Sequence, residues 1–166
     1  TQPASALATS TAVTNVLCFG NSTGAATVTA SGGTSPYTYA WSSGATTSVI
    51  STLNAGVRTV TVTDASSCTS TNTVTITQPA ANTVSINILN NVSCFGGNNG
   101  VLTATGMTGT GPFTFMWSPG TRTTATYTSA AVGVYTILVS DANACEATAT
   151  ATITQPTALV TNTSVT

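Results

Sequence analysis

The chain contains no histidine and no lysine, and only five of its 166 residues are charged at neutral pH. Without histidine, neither a Ser–His nor a Cys–His catalytic pair can be assembled. Without lysine, neither a Schiff base nor a Lys–Asn isopeptide cross-link can form. Two arginines are too few to neutralise the phosphates that supply nucleic-acid affinity, or to form a polybasic membrane patch. We therefore expect no enzyme activity and no nucleic-acid partner.

Carboxylates are equally scarce, since the chain has only Asp64, Asp141 and Glu146. The single carboxylate in the first half cannot supply the pair that glycosidases use. Calcium sites usually gather several carboxylates, and a structural zinc site needs four close Cys or His ligands. We expect no metal site and no cofactor, and we expect the repeated aspartates to accept backbone N–H bonds in the turn after their strand.

Long hydrophobic runs are absent as well. No apolar run approaches the ~20 residues that span a bilayer, so no membrane insertion is expected for this segment. What the chain does contain is 40 Thr, 18 Ser and 41% hydrophobic residues, with a net charge of −1. Disordered chains usually combine low hydrophobicity with high net charge. This composition therefore predicts a folded protein.

An internal repeat organises the whole chain. The tripeptide Thr-Gln-Pro begins at residues 1, 77 and 154, and Cys-Phe-Gly begins at residues 18 and 94. The same period relates residues 36–42 (PYTYAWS) to 112–118 (PFTFMWS) and residues 56–64 (GVRTVTVTD) to 133–141 (GVYTILVSD). Fixed-period similarity is the signature of repeat architecture. We predict module 1 at 4–79 and module 2 at 80–156, with 1–3 ending a preceding copy and 157–166 starting a following one.

Within each module the hydrophobic residues alternate with a period of two. This pattern is typical of half-buried strands, and Thr suits the outer face because it is β-branched. The alternation predicts a core that contains the aromatic residues Tyr37, Tyr39, Trp41, Phe113, Phe115, Trp117 and Tyr135. Turn residues at intervals of 8–12 residues favour a β-sandwich. We predict an all-β chain of two tandem immunoglobulin-like sandwiches. Six strands per module are clear. We predict that the residues before Cys18 split into two short strands in different sheets, which would give seven strands and place the termini at opposite ends.

These motifs together resemble the SprB-type repeat of Bacteroidetes surface proteins, which is close to the immunoglobulin-like and PKD-like sandwiches. The resemblance covers nearly the whole chain in two copies. It implies a very large cell-surface adhesin, secreted by the type 9 route and associated with gliding motility. One departure is Arg58, which stands where the second copy has Tyr135. Another is that the cysteines do not occupy the usual inter-sheet positions of immunoglobulin domains.

Four cysteines allow three disulfide pairings. Cys18 and Cys68 lie 50 residues apart, Cys94 and Cys145 lie 51 apart, and each pair falls within one module. The repeat therefore predicts the disulfides Cys18–Cys68 and Cys94–Cys145, with free buried thiols as the alternative. In the loop-entropy model each ring would contribute roughly 4 kcal/mol. Disulfides would indicate an extracellular location.

Three functions fit this sequence. The first is a stalk or adhesin repeat whose partners are neighbouring copies and surface polysaccharide or other cells. The second is homotypic lateral assembly into a filament or lattice, suggested by the nearly uncharged surface. The third is a carbohydrate-binding module appended to a secreted enzyme, in which Trp41 and Trp117 would stack on carbohydrate. Their alternation with neighbouring aromatic residues nevertheless favours a place in the core. Sequences that match the N-glycosylation pattern begin at residues 21, 91 and 162, and O-linked sugar on Thr and Ser is the more credible modification.

Overall fold

The computed structural model describes residues 5–161. The chain divides into two compact units between Ala80 and Ala81. No helix in the described part of the chain is long and apolar enough to cross a membrane. The Thr-Gln-Pro at 1–3, residues 162–166 and the glycosylation pattern at 162 lie outside the described residues. Residues 157–161, predicted to start a further copy, form no strand.

Module 1 is a sandwich of two three-stranded antiparallel sheets, with strand orders β1-β2-β4 and β3-β5-β6. Its strands are β1 (Ala8–Thr14), β2 (Gly24–Ser31), β3 (Thr38–Trp41), β4 (Val49–Leu53), β5 (Gly56–Thr63) and β6 (Thr69–Ile76).

Module 2 repeats this arrangement, with sheets in the orders β7-β8-β10 and β9-β11-β12. Its strands are β7 (Ser85–Asn90), β8 (Gly100–Thr105), β9 (Thr114–Ser118), β10 (Thr126–Ala130), β11 (Gly133–Ser140) and β12 (Glu146–Ile153). The predicted all-β sandwich is confirmed in both copies.

The alternating pattern of the sequence produces these sheets. In β5, Val60 and Val62 are completely buried, whereas the threonines that alternate with them, Thr59, Thr61 and Thr63, face outward. The outward threonines pair across the strands, as in the hydroxyl contact of 3.1 Å between Thr136 and Thr150 on β11 and β12. β-branched pairs of this kind stabilise a sheet by roughly 0.2–1 kcal/mol each. Threonine thus occupies the outer face that charged residues often cover in other proteins.

Each module begins at one end and finishes at the other, although it has six strands rather than seven. The prediction of a split first strand is wrong, because β1 is continuous. β1 and β6 run in the same direction: the hydroxyls of Thr9 and Ser70 are 3.0 Å apart, and Val16 N–H donates to Thr77 O over 3.0 Å. An even number of strands would place both termini at the same end only if the chain reversed direction after every strand. Here the chain changes sheet between β3 and β4, because β3 pairs with β5 whereas β4 pairs with β2. Strands β3 and β4 therefore run in the same direction in different sheets, and so do the first and last strands, β1 and β6.

Candidate functional site

The N-terminal end of each module, where its first strand begins, contains a buried aspartate. Asp64 follows β5 and accepts backbone N–H bonds from Thr34 (2.9 Å), Ser66 (2.9 Å) and Cys68 (2.8 Å). Only 5% of its surface is exposed. These bonds tie the loop after β2 to the turn between β5 and β6, and they confirm the predicted role of the repeated aspartate.

Asp141 has the same role in module 2, where it accepts N–H bonds from Thr110 (3.1 Å), Asn143 (2.8 Å) and Cys145 (2.9 Å). A hydrogen bond from the Asn82 side chain, together with those N–H groups, lowers the pKa of Asp141 to about 2. The backbone N–H of Thr34 is the main cause of a lowered pKa at Asp64.

Sequence reasoning missed Asn82. Its amide also donates to Cys145 O over 3.0 Å, so it connects the start of module 2 to the turn that holds the aspartate. Module 1 has Ala6 at the corresponding position. Because this asparagine is not repeated in module 1, a comparison of the two copies does not identify Asn82 as a structural residue. Among the described residues, no group of three or more His, Cys, Asp or Glu side chains could hold a metal ion.

At the C-terminal end of each module, where the last strand finishes, the Thr-Gln-Pro and Cys-Phe-Gly motifs are joined by hydrogen bonds. Gln78 of the second Thr-Gln-Pro accepts a hydrogen bond from Gly20 N–H of Cys-Phe-Gly over 2.9 Å, and Asn15 Oδ1 accepts from Thr77 N–H over 2.9 Å. Module 2 has the equivalent bonds, from Gly96 to Gln155 and from Thr154 to Asn91. The motifs thus hold the loop after the first strand against the end of the last strand.

The two cysteines of a module lie at opposite ends. Cys68 directly precedes β6, whereas Cys18 lies in the loop that is bonded to Thr77, directly after β6. Eight strand residues at ~3.3 Å each separate these ends by about 26 Å, and a disulfide needs Cα atoms within about 7 Å. Cys94 and Cys145 are separated in the same way by β12.

The predicted pairs Cys18–Cys68 and Cys94–Cys145 are therefore wrong. Cys68 and Cys94 are free and exposed thiols, whereas Cys18 and Cys145 are disulfide-bonded. The repeat placed each pair of cysteines within one module. A strand that runs the full length of the module nevertheless separates the two cysteines, so they cannot form a disulfide with each other.

The aromatic residues predicted for the core lie in it or against it. Trp41 and Trp117 are 4% and 0% exposed, and each indole N–H donates to a backbone carbonyl, that of Thr47 (2.8 Å) and that of Thr124 (3.0 Å). Tyr135 is buried as well, and the partly buried residues that pack against the two cores include Tyr37, Tyr39, Phe113 and Phe115. Because both indoles are enclosed, their faces are not presented for stacking on sugar.

Module 2 has an aromatic cluster that sequence reasoning only partly identified. Tyr127 makes edge-to-face contacts with Trp117 (ring centroids 5.7 Å apart) and Tyr135 (5.0 Å), and the Arg122 guanidinium lies 4.8 Å from the centre of its ring. Burial raises the pKa of Tyr135. Module 1 has Ile50 and Arg58 at the positions of the two tyrosines, so its core lacks this cluster.

Exposed apolar side chains surround the cysteines at the C-terminal ends. Phe19 and Phe95, which follow Cys18 and Cys94, are 57% and 61% exposed. In module 2 a groove of about 530 Å³ is lined by Cys94, Phe95 and the segment that follows β12, including Pro156 and Leu159. The Cys-Phe-Gly loop of module 2 therefore presents a thiol beside an uncovered hydrophobic surface.

The family described as SprB repeat matches residues 10–46 and 86–122, which are corresponding segments of the two modules. The resemblance to the SprB repeat is confirmed. Each SprB segment runs from the first strand of its module to the loop after the third. It therefore contains both the Cys-Phe-Gly loop and the buried tryptophan.

The chain is also similar to a solved C-terminal 282-residue fragment of intimin, which was crystallised with the intimin-binding domain of the translocated intimin receptor. The identity is 13% and the TM-score is 0.41, and the similarity covers 90% of this chain and 64% of that fragment. No curated protein matches the chain. The fold assignment therefore depends on the strands and sheets described above.

Proposed function

We propose that the two modules are non-catalytic structural and adhesive repeats of a long extracellular surface protein. The observation that carries this proposal is the SprB match, which recurs at the same place in both modules. Secretion by the type 9 route and a part in gliding motility belong to this proposal, because the family resemblance implies them.

The architecture of each module supports a repeat that extends a chain. Entry and exit lie at opposite ends, because the first and last strands of a module run in the same direction. Within one module, the points where the chain enters and leaves are therefore separated by about the length of an eight-residue strand, roughly 26 Å. An array of such repeats gains reach, and many weak contacts along it add avidity.

Deletion of residues 4–156 from the full-length surface protein tests this proposal. We expect shorter surface fibres in electron micrographs and weaker attachment of the cells to polysaccharide-coated surfaces. The control is a full-length protein with Asn21→Gln, since Asn21 is exposed and lies outside the strands. Unchanged fibre length and unchanged attachment after the deletion would contradict the proposal.

A further inference from the structure

The free thiols occupy positions whose counterparts are disulfide-bonded. Cys94 corresponds to Cys18, and Cys68 corresponds to Cys145. Cys18 and Cys145 are disulfide-bonded, whereas Cys68 and Cys94 are free. Both the position after the first strand and the position before the last strand are therefore competent to form a disulfide. Neither can form one with the other cysteine of its own module, because the last strand separates them.

We propose that Cys68 and Cys94 are linking cysteines, which join this chain covalently to further copies of the same repeat. Cys94 would bond to the cysteine that precedes the last strand of a following copy, the equivalent of Cys68. Cys68 would bond to the Cys-Phe-Gly cysteine of a preceding copy, the equivalent of Cys94. The proposal rests on the proposed function, because it requires that repeats follow one another in an array.

The position of each cysteine selects this pairing. Every module has one cysteine at its C-terminal end and one at its N-terminal end, and in an array the C-terminal end of one copy leads to the N-terminal end of the next. Two adjoining ends therefore contribute one cysteine of each kind. Pairs of like cysteines, such as Cys94 with Cys94, would require two copies to meet with their chains in opposite directions.

The surfaces around the two thiols suit a second copy of this chain as the occupant. Cys94 lies in the apolar groove with the exposed Phe95. The exposed residues Ala65, Ser66 and Ser67, which come directly before Cys68, are small and uncharged, so they allow close approach. The carboxylate of Asp64 is buried and bonded to three backbone N–H groups, so it adds no exposed charge at that end.

The chemistry is thiol–disulfide exchange with a small-molecule disulfide, such as oxidised glutathione, as the oxidant. The Cys94 thiolate attacks one sulfur of the oxidant, which forms a mixed disulfide and releases one small thiol. The second cysteine thiolate then attacks Cys94 Sγ and releases the other small thiol. Two protein thiols are oxidised to one disulfide, and the oxidant is reduced to two thiols.

The first test is peptide mapping of the full-length surface protein under non-reducing conditions. We expect the Cys68 and Cys94 peptides each to be linked to a peptide of a neighbouring repeat, with a Cys-Phe-Gly cysteine on one side of every bond. The proposal is overturned if mass spectrometry finds Cys68 and Cys94 as free thiols, or if it finds links between cysteines of the same kind.

The second test uses the 166-residue chain in a buffer of reduced and oxidised glutathione. We expect the wild-type chain to give a ladder of disulfide-linked oligomers, and Cys68→Ser or Cys94→Ser alone to give none. An equimolar mixture of the two variants should give a dimer and nothing larger, because it contains one linkable cysteine of each kind. Monomeric wild-type chains under all redox conditions, or dimers of either variant alone, would overturn the pairing. Loss of adhesion is scored separately, so failure of the proposed function would be distinguishable.

Discussion

Gly100 lies at the start of β8, where the structure leaves no room for a side chain. A Cβ atom at this position would be 2.8 Å from Ala130 O and 3.1 Å from Ile153 Cγ2. Gly24 has the same surroundings in module 1, with Leu53 O at 2.7 Å. Because the nearest atom belongs to the backbone of the paired strand, it cannot move away as a flexible side chain would.

Gly100→Ala should therefore destabilise module 2. Overpacking costs about 1–3 kcal/mol, and the loss of glycine flexibility in the unfolded chain offsets about 0.4–1 kcal/mol. Taking the middle of each range, about 2 kcal/mol less about 0.7 kcal/mol, the free energy of unfolding should fall by about 1.3 kcal/mol. With a urea m-value of about 1 kcal/mol/M, the unfolding midpoint should fall by about 1.3 M.

Tryptophan fluorescence can follow this change, because each module contains a single tryptophan. In a Trp41→Phe background, only Trp117 reports, and it is fully buried in module 2. The control is Gly111→Ala, since among residues 5–161 the nearest atom to a Cβ there belongs to the Phe113 ring, at 3.8 Å. The control should leave the midpoint within about 0.5 M. A Gly100→Ala midpoint equal to or above that of the background protein would refute the reasoning.

Three further predictions concern module 2. The pKa of Asp141 is lowered to about 2. The stabilisation by its carboxylate is therefore present above the ordinary carboxyl pKa and is lost as pH falls from about 4 to about 2. Urea midpoints of the wild-type protein should fall over this pH range, and those of Asp141→Asn should fall less. Ala144 has a φ of 59°, so Ala144→Gly should raise the free energy of unfolding by up to about 1 kcal/mol, and a lower urea midpoint would contradict this. Trp117→Ala should lower the free energy of unfolding by about 3–5 kcal/mol. Met116→Ala, on the outer face of the sheet, should change it by less than about 0.5 kcal/mol. Equal effects of the two substitutions in circular dichroism melts would contradict the assignment of Trp117 to the inner face and Met116 to the outer face.

The strands and the buried tryptophans could be predicted from the sequence because each depends on neighbouring residues. Alternation along residues 37–41 places Trp41 inward whatever the partner strand is. The role of Asp64 was equally local, since two of its three bonds go to residues two and four positions later. The repeat then predicts the same strands, buried tryptophan and aspartate in the second module, and the structure contains them in both modules.

The cysteine pairing could not be predicted because it depends on the direction of every strand between the two residues. The change of sheet between β3 and β4 occurs within residues 42–48, and it leaves no trace in the alternation. A spacing of 50 residues therefore says nothing about which end of the module a cysteine occupies. Asn82 escaped notice for a different reason, since its partner Asp141 is distant in sequence and its counterpart is Ala6.

The shared direction of β1 and β6 has a mechanical consequence. A pull on the two termini of module 1 acts along the strands, because the chain enters at one end of the sandwich and leaves at the other. The hydrogen bonds of β1 to β2 and of β6 to β5 are then loaded in shear and resist together, instead of opening one after another. Single-molecule pulling should therefore show abrupt rupture of a module at high force rather than gradual unzipping.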